Sequence, residues 1–147
     1  MPESTTAQTL TDTRIHVKFK LAALWTATMF LYVYGDYFSL YLPNKIQKLM
    51  DGNSGVGATT PVLLLGFSVM MTIPSLMIGL SVLLPSRLNR WANIIAGIVF
   101  TLIMTLILVS QAQAMNPWAM FYAYLAVVEI ALTSIITWLA WKWEREA

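Results

Sequence analysis

The sequence predicts an all-α integral membrane protein, a four-helix bundle of transmembrane spans with the N-terminus and C-terminus both cytoplasmic. Three observations carry this expectation. Of 147 residues, 58% are hydrophobic and only 11% are charged, against roughly 25% in a soluble domain whose surface water must wet. Mean hydropathy is +0.66, and the apolar residues collect into four runs, each near the ~20 residues that cross a hydrocarbon layer of ~30 Å. The basic residues are also distributed unevenly among the segments that join those runs.

Residues 1–20 are polar and end in Arg14, His16, Lys18 and Lys20; their opening stretch reads as a disordered cytoplasmic tail. The first run, 21–42, is too long for the core of a cleavable signal peptide and lacks an A-x-A-like site after it, so it reads as an uncleaved span. Pro43 ends it. Residues 44–60 hold Gly52, Gly55 and Gly57 and read as a flexible connection, in which Ile46, Leu49 and Met50 can form one amphipathic turn. No Gly-Lys-Ser/Thr follows the glycines, which excludes a phosphate loop.

Thr60 as N-cap and Pro61 at the first helical position open the second span, 61–84. Pro74 near its middle predicts a kink. Residues 85–90 read as a short basic turn, making the second and third spans an antiparallel hairpin. The third span covers 91–110, a polar link follows at 111–115, and Asn116-Pro117 repeat the cap-then-proline opening before the fourth span, 118–141. Residues 21–143 thus form one transmembrane domain, and 144–147 a second cytoplasmic tail.

With the N-terminus inside, the cytoplasmic segments hold Arg14, Lys18, Lys20, Arg87, Arg90, Lys142 and Arg145, and the outer segments hold only Lys45 and Lys48. Seven against two is a positive-inside pattern consistent with an even number of spans. Trp91, Trp138, Trp141 and Trp143 mark the inner boundary; Tyr37, Tyr41 and Trp118 mark the outer one.

The inventory excludes several chemistries. Without cysteine there are no disulfides, thiol redox reactions or cysteine-built metal sites. The single histidine, His16, lies outside every hydrophobic run, so no paired-histidine haem or zinc site is expected inside the bundle. A net charge of +2 is too small and scattered for nucleic acid. Neither metal nor cofactor is expected, and no catalytic motif is present. The expected partner is the lipid bilayer, with a second copy of the chain as a candidate.

Two acids lie within apolar runs: Asp36, six residues from the outer end of the first, and Glu129, eleven residues from the outer end of the fourth. At a rise of ~1.5 Å per residue these lie ~9 Å and ~16 Å deep, compatible with one cavity opening outward. No Lys, Arg or His accompanies them within the spans. An acid near the centre of a span costs roughly 2.5–3.5 kcal/mol on insertion scales and so tends to face the bundle and to mark function. Helical periodicity puts Trp25, Thr28, Tyr32, Asp36 and Ser39 on one face of the first span, with Phe30, Tyr34, Phe38 and Tyr41 opposite. Tyr122, Glu129 and Thr133 share a face of the fourth. The candidate ligand- or proton-binding set is therefore Glu129, Asp36, Tyr32, Tyr122 and Thr133. Stripes of small and polar residues, Ser68, Thr72, Ser75 and Gly79 on the second span and Asn93, Gly97, Thr101 and Thr105 on the third, read as helix-packing faces.

The segments Leu24-Trp25, Tyr34-Gly35-Asp36-Tyr37-Phe38-Ser39-Leu40, Arg90-Trp91-Ala92-Asn93-Ile94-Ile95-Ala96-Gly97 and Glu129-Ile130-Ala131, with residues 138–143, together resemble a family of small bacterial four-span membrane proteins known as a domain of unknown function. The resemblance covers roughly residues 20–143. It implies the four-span fold and a bacterial inner membrane, and it supplies neither substrate nor catalytic residue. The small multidrug-resistance transporters also have four spans and an intramembrane glutamate, but theirs lies in the first helix of a shorter chain.

The functional expectation is binding or proton-linked transport of a small molecule in an outward-facing polar pocket. The alternative is a non-enzymatic structural or accessory membrane subunit. An enzyme is not expected: the spans hold no cysteine nucleophile, no histidine to activate Ser or Thr, and a single aspartate.

Overall fold

A computed structural model describes residues 14–113 and 117–143. The expected disordered opening of the tail, the cap at Asn116 and the tail at 144–147 lie outside the described residues. The chain forms α1 (Val17–Ser39), α2 (Lys45–Met50), α3 (Pro61–Leu83), α4 (Ser86–Gln113), a 3₁₀ turn (Pro117–Ala119) and α5 (Met120–Trp141). Among the described residues, α3, α4 and α5 are long and apolar enough to cross a membrane. The first helix, at 23 residues, spans about 35 Å and so has the length. Its composition is the more polar, with Lys18, Lys20, Asp36 and three tyrosines.

Helix α1 begins earlier than its apolar run because His16 caps it, the ring Nδ1 accepting from the Lys18 amide at 3.2 Å. It ends at Ser39, short of Pro43, where Leu40, Tyr41 and Leu42 turn back onto carbonyls three residues earlier. Six residues of α1 are buried: Leu21, Trp25, Thr28, Tyr32, Gly35 and Ser39. That spacing is the face periodicity assigns, and the opposite residues Phe30, Tyr34, Phe38 and Tyr41 are all exposed.

Thr60 caps α3, its Oγ1 accepting from the Leu63 amide at 3.1 Å, and Pro61 occupies the first turn. Pro74 is buried within α3, where its missing N–H removes one rung of the helix. The connection to α4 is shorter than the basic turn expected over 85–90. Ser86 already opens α4, and the Asn89 amide donates to the Pro85 carbonyl at 3.0 Å. One extended residue, Leu84, with ψ 148°, suffices to reverse the chain. Between α1 and α3 lie α2 and a loop closed by a single bridge, Asn53 to Ala58. Gly52 and Gly55 there adopt φ of 74° and 91°, a region that side-chain-bearing residues avoid.

The four long helices contact one another in a closed order. The α4–α5 interface is the most extensive, α1 lies against both α3 and α5, and α3 meets α4 only sparsely. The α4–α5 approach depends on Gly97: a methyl group there would collide with Thr137 Oγ1 and lie 3.1 Å from the Thr133 carbonyl oxygen. Beside it the hydroxyls of Thr101 and Thr133 are 2.7 Å apart. Small residues of this kind let membrane helices approach closely and bond across the seam.

The sparse α3–α4 contact is pinned near the turn by a buried polar cluster. Asn93 Oδ1 accepts from Trp25 Nε1 at 2.8 Å and Ser81 Oγ at 3.2 Å. Asn93 Nδ2 donates to Asn89 Oδ1 at 2.6 Å, and Asn89 Nδ2 to the Ser81 carbonyl at 2.5 Å. Asn89, Asn93, Ser81 and Trp25 are fully buried. A polar network so completely paired stabilises rather than penalises a core.

Candidate functional site

Away from that cluster the four helices line a partly open chamber of about 140 Å³. Tyr32, Gly35 and Asp36 come to it from α1, Met70 and Met71 from α3, Phe100 and Met104 from α4, and Tyr122 and Glu129 from α5. A second, wider space of about 570 Å³ adjoins it, lined by Ser39, Lys45, Val56, Phe67, Gln111 and others. The two share Asp36, Met70, Met71, Ile107 and Tyr122. The chamber is thus the inner room and the wider space its vestibule, at the end of the molecule where α2 and its loop lie.

Glu129 stands near the middle of α5, only 2% exposed. Its Oε2 has no hydrogen-bond partner, and neither has the buried hydroxyl of Tyr32. Asp36, one turn beyond Tyr32 on α1, is exposed at the boundary of chamber and vestibule. Tyr122 of α5 stands beside Asp36 and Ser39 there, all three lining the vestibule. Phe100 forms the wall opposite α1, with the rings of Trp25 and Tyr32 at 6.0 and 6.1 Å.

Four of the five residues singled out from the sequence, Tyr32, Asp36, Tyr122 and Glu129, therefore line one chamber. Thr133 does not. It is fully buried in the α4–α5 seam, its hydroxyl bonding the Glu129 carbonyl at 2.9 Å and Thr101 Oγ1 at 2.7 Å. Of the packing stripes, Gly97 and Thr101 sit in that same seam. Gly79 is exposed, and a methyl group built on it would meet nothing within 4 Å. Ser75 is also exposed; it bonds the Met71 carbonyl at 2.8 Å and touches Met29 Sδ of α1 at 3.6 Å.

Sequence reasoning missed Lys45. The acids have no base within the helices, yet α2 folds back so that Lys45 lines the vestibule together with Asp36. Its place at the start of an amphipathic turn just after α1 was the available signal. The three methionines and Phe100 carry no signal of their own in a chain this apolar. Nor does Gly35, which brings α1 to within van der Waals distance of Leu125. Ser81 and Asn89 were equally silent, since one lies in an apolar run and the other reads as turn.

Among the described residues no group of three or more His, Cys, Asp or Glu could hold a metal ion. Chemically, the site offers one enclosed carboxyl with a free oxygen, a second carboxyl at its mouth, two phenols, and otherwise ring and thioether surface. Comparison with curated proteins and with solved structures finds no match. A family model does match residues 11–147, nearly the whole sequence: the chain belongs to the family of unknown function DUF6326.

Proposed function

We propose that this chain is a membrane-embedded binding protein for a small molecule, with ligand binding or transport linked to a proton at Glu129. The carrying observation is the Glu129 carboxyl, enclosed at the inner end of a chamber with Oε2 unpartnered. An ionisable group placed at such depth costs folding energy, and membrane proteins retain such groups where they serve ion or substrate paths. The ionisable side chains facing it are Tyr32 and Asp36 from α1 and Tyr122 from α5, with Lys45 from α2 in the vestibule. The lining from α3 and α4 is not ionisable.

The same reading takes α1 as a fourth span. Its buried face closes the chamber, and its length matches the three apolar helices. Lys18, Lys20, Arg87, Arg90 and Lys142 all lie at the end away from the vestibule, which favours cytoplasmic termini in a bacterial inner membrane and a vestibule opening outward. No catalytic role is assigned to any residue.

The test is proton uptake into vesicles reconstituted with the full chain, driven by a pH gradient and read by an enclosed dye. Glu129→Gln, isosteric but unable to titrate, is expected to abolish the protein-dependent component; uptake equal to wild type would sink the proposal.

A second reading, a structural or accessory membrane subunit, has one observation in its favour. Ser68, Thr72, Ser75 and Gly79 form a stripe of small residues on the exposed side of α3, the surface through which membrane helices associate. On that reading Glu129→Gln leaves vesicle uptake unchanged, and a bulky residue at Gly79 disrupts assembly.

A further inference from the structure

The chamber's lining indicates what kind of molecule it accepts. Two buried oxygens with no protein partner belong to residues that line the same small space: Glu129 Oε2 and Tyr32 Oη, on residues 2% and 8% exposed. No basic side chain lines the chamber. Lys45 belongs to the vestibule alone, where Asp36 is its neighbour. A carboxyl withdrawn from water either holds a proton or, once ionised, needs a countercharge. The electron-rich faces of Phe100, Tyr32 and Tyr122 attract cations and do nothing for anions.

Size narrows the choice. The chamber holds about 140 Å³, close to the roughly 150 Å³ of an apolar cavity that accepts a six-carbon ring. Both free oxygens can accept hydrogen bonds, so N–H groups serve them better than a fully alkylated nitrogen does. Met70, Met71 and Met104 supply adaptable apolar surface for the remainder of the ligand.

We propose that the chamber binds a small organic monocation, an alkylammonium ion whose N–H groups bond Glu129 Oε2 and Tyr32 Oη while its short chain rests on Phe100 and the methionines. This assignment rests on the chamber being a ligand site, as argued above, and adds the ligand's charge and size. A neutral alcohol of equal length leaves the carboxylate without a countercharge. A carboxylate ligand meets two acids. Asp36 at the mouth draws cations inward, with Tyr122 beside it on the boundary of the two spaces.

The experiment uses the full chain in lipid nanodiscs and ligand-detected NMR with three probes of matched length, n-butylammonium, n-butanol and butyrate. Butylammonium is expected to bind, with the other two weaker by on the order of tenfold or more, the weight of a charge-assisted hydrogen bond. Glu129→Gln should remove that preference. Tyr32→Phe should weaken butylammonium by about three- to tenfold, and Glu129→Asp, which keeps the charge, should retain the preference in a protein of unchanged helicity. Butanol or butyrate binding as tightly as butylammonium, with loss in Glu129→Gln, overturns the cation while leaving a Glu129-dependent site in place. Absence of binding by all three, alongside proton uptake that still requires Glu129, also overturns the cation and spares the proton-linked reading. Absence of binding together with Glu129-independent uptake overturns both.

Discussion

Asn93 receives hydrogen bonds from Trp25 of α1 and Ser81 of α3 and donates to both the backbone carbonyl and the side-chain oxygen of Asn89 a turn away. Replacing it with Ala leaves the Trp25 indole N–H and the Ser81 hydroxyl unpaired in a fully buried place. Each orphaned group costs about 1–3 kcal/mol, so Asn93→Ala is expected to lower stability by at least about 2 kcal/mol, read as a shift in the thermal or SDS unfolding midpoint. The glycines offer an internal contrast. Gly97→Val already sets its Cβ against Thr137 Oγ1 and the Thr133 carbonyl and adds two methyl groups beyond it, an overpacking of roughly 1–3 kcal/mol. Gly79→Ala fills open space and is expected to be neutral within about 0.5 kcal/mol for the isolated chain. A large loss from Gly79→Ala would show that the α3 stripe is covered by another helix.

At the scale of elements, the polar cluster and the chamber share a cause. Helices α3 and α4 reverse over a very short link and are tied near it by Ser81, Asn89 and Asn93, while their contact as a whole is sparse. The space left there is the chamber, with Met70 and Met71 on one side and Phe100 and Met104 on the other. The N-terminus of α3 is held by the Thr60 cap. Thr60→Ala should cost about 1 kcal/mol and appear as faster amide hydrogen exchange confined to the first turn of α3. At the other end of α3, Lys18 Nζ donates to the Leu84 carbonyl at 2.7 Å, fastening α1 to a helix C-terminus where a cation is favourable. The sequence showed α3 nearly residue for residue, because Thr60-Pro61 and Pro85 bracket its apolar run. It misplaced the start of α4 for a related reason. The polar residues 86–90 look like turn, yet the Asn89 side chain is paired with Asn93 of its own helix and with the Ser81 carbonyl of α3, a satisfaction visible only once α3 lies alongside.

For the whole molecule, the two ends differ in charge and in shape. One end carries the vestibule with Lys45; the other carries most of the described basic residues, with Lys142 4.5 Å above the Trp138 ring and Arg90 bonded to the Trp141 carbonyl at 3.0 Å. Because the sequence contains no cysteine, single cysteines report sidedness without background. Ser54→Cys in the vestibule loop is expected to react with an impermeant maleimide from outside intact cells, and Arg87→Cys only after permeabilisation. Labelling of both from the same side would refute the proposed topology.

Composition and periodicity were sufficient for the helical class, the membrane character, the buried face of α1 and the two acids, since each follows from local patterns that hold whatever the neighbours are. Tertiary structure alone decided the rest. It joined Asp36 and Glu129 in one chamber, left Oε2 of Glu129 without a partner, committed Thr133 to the α4–α5 seam, turned the stripe of α3 outward and folded Lys45 over the entrance. Those outcomes depend on how closely and at what rotation the helices approach. That is set by Gly97, by the Asn93 cluster and by the packing of large side chains across seams, and no single stretch of sequence contains both sides of a seam.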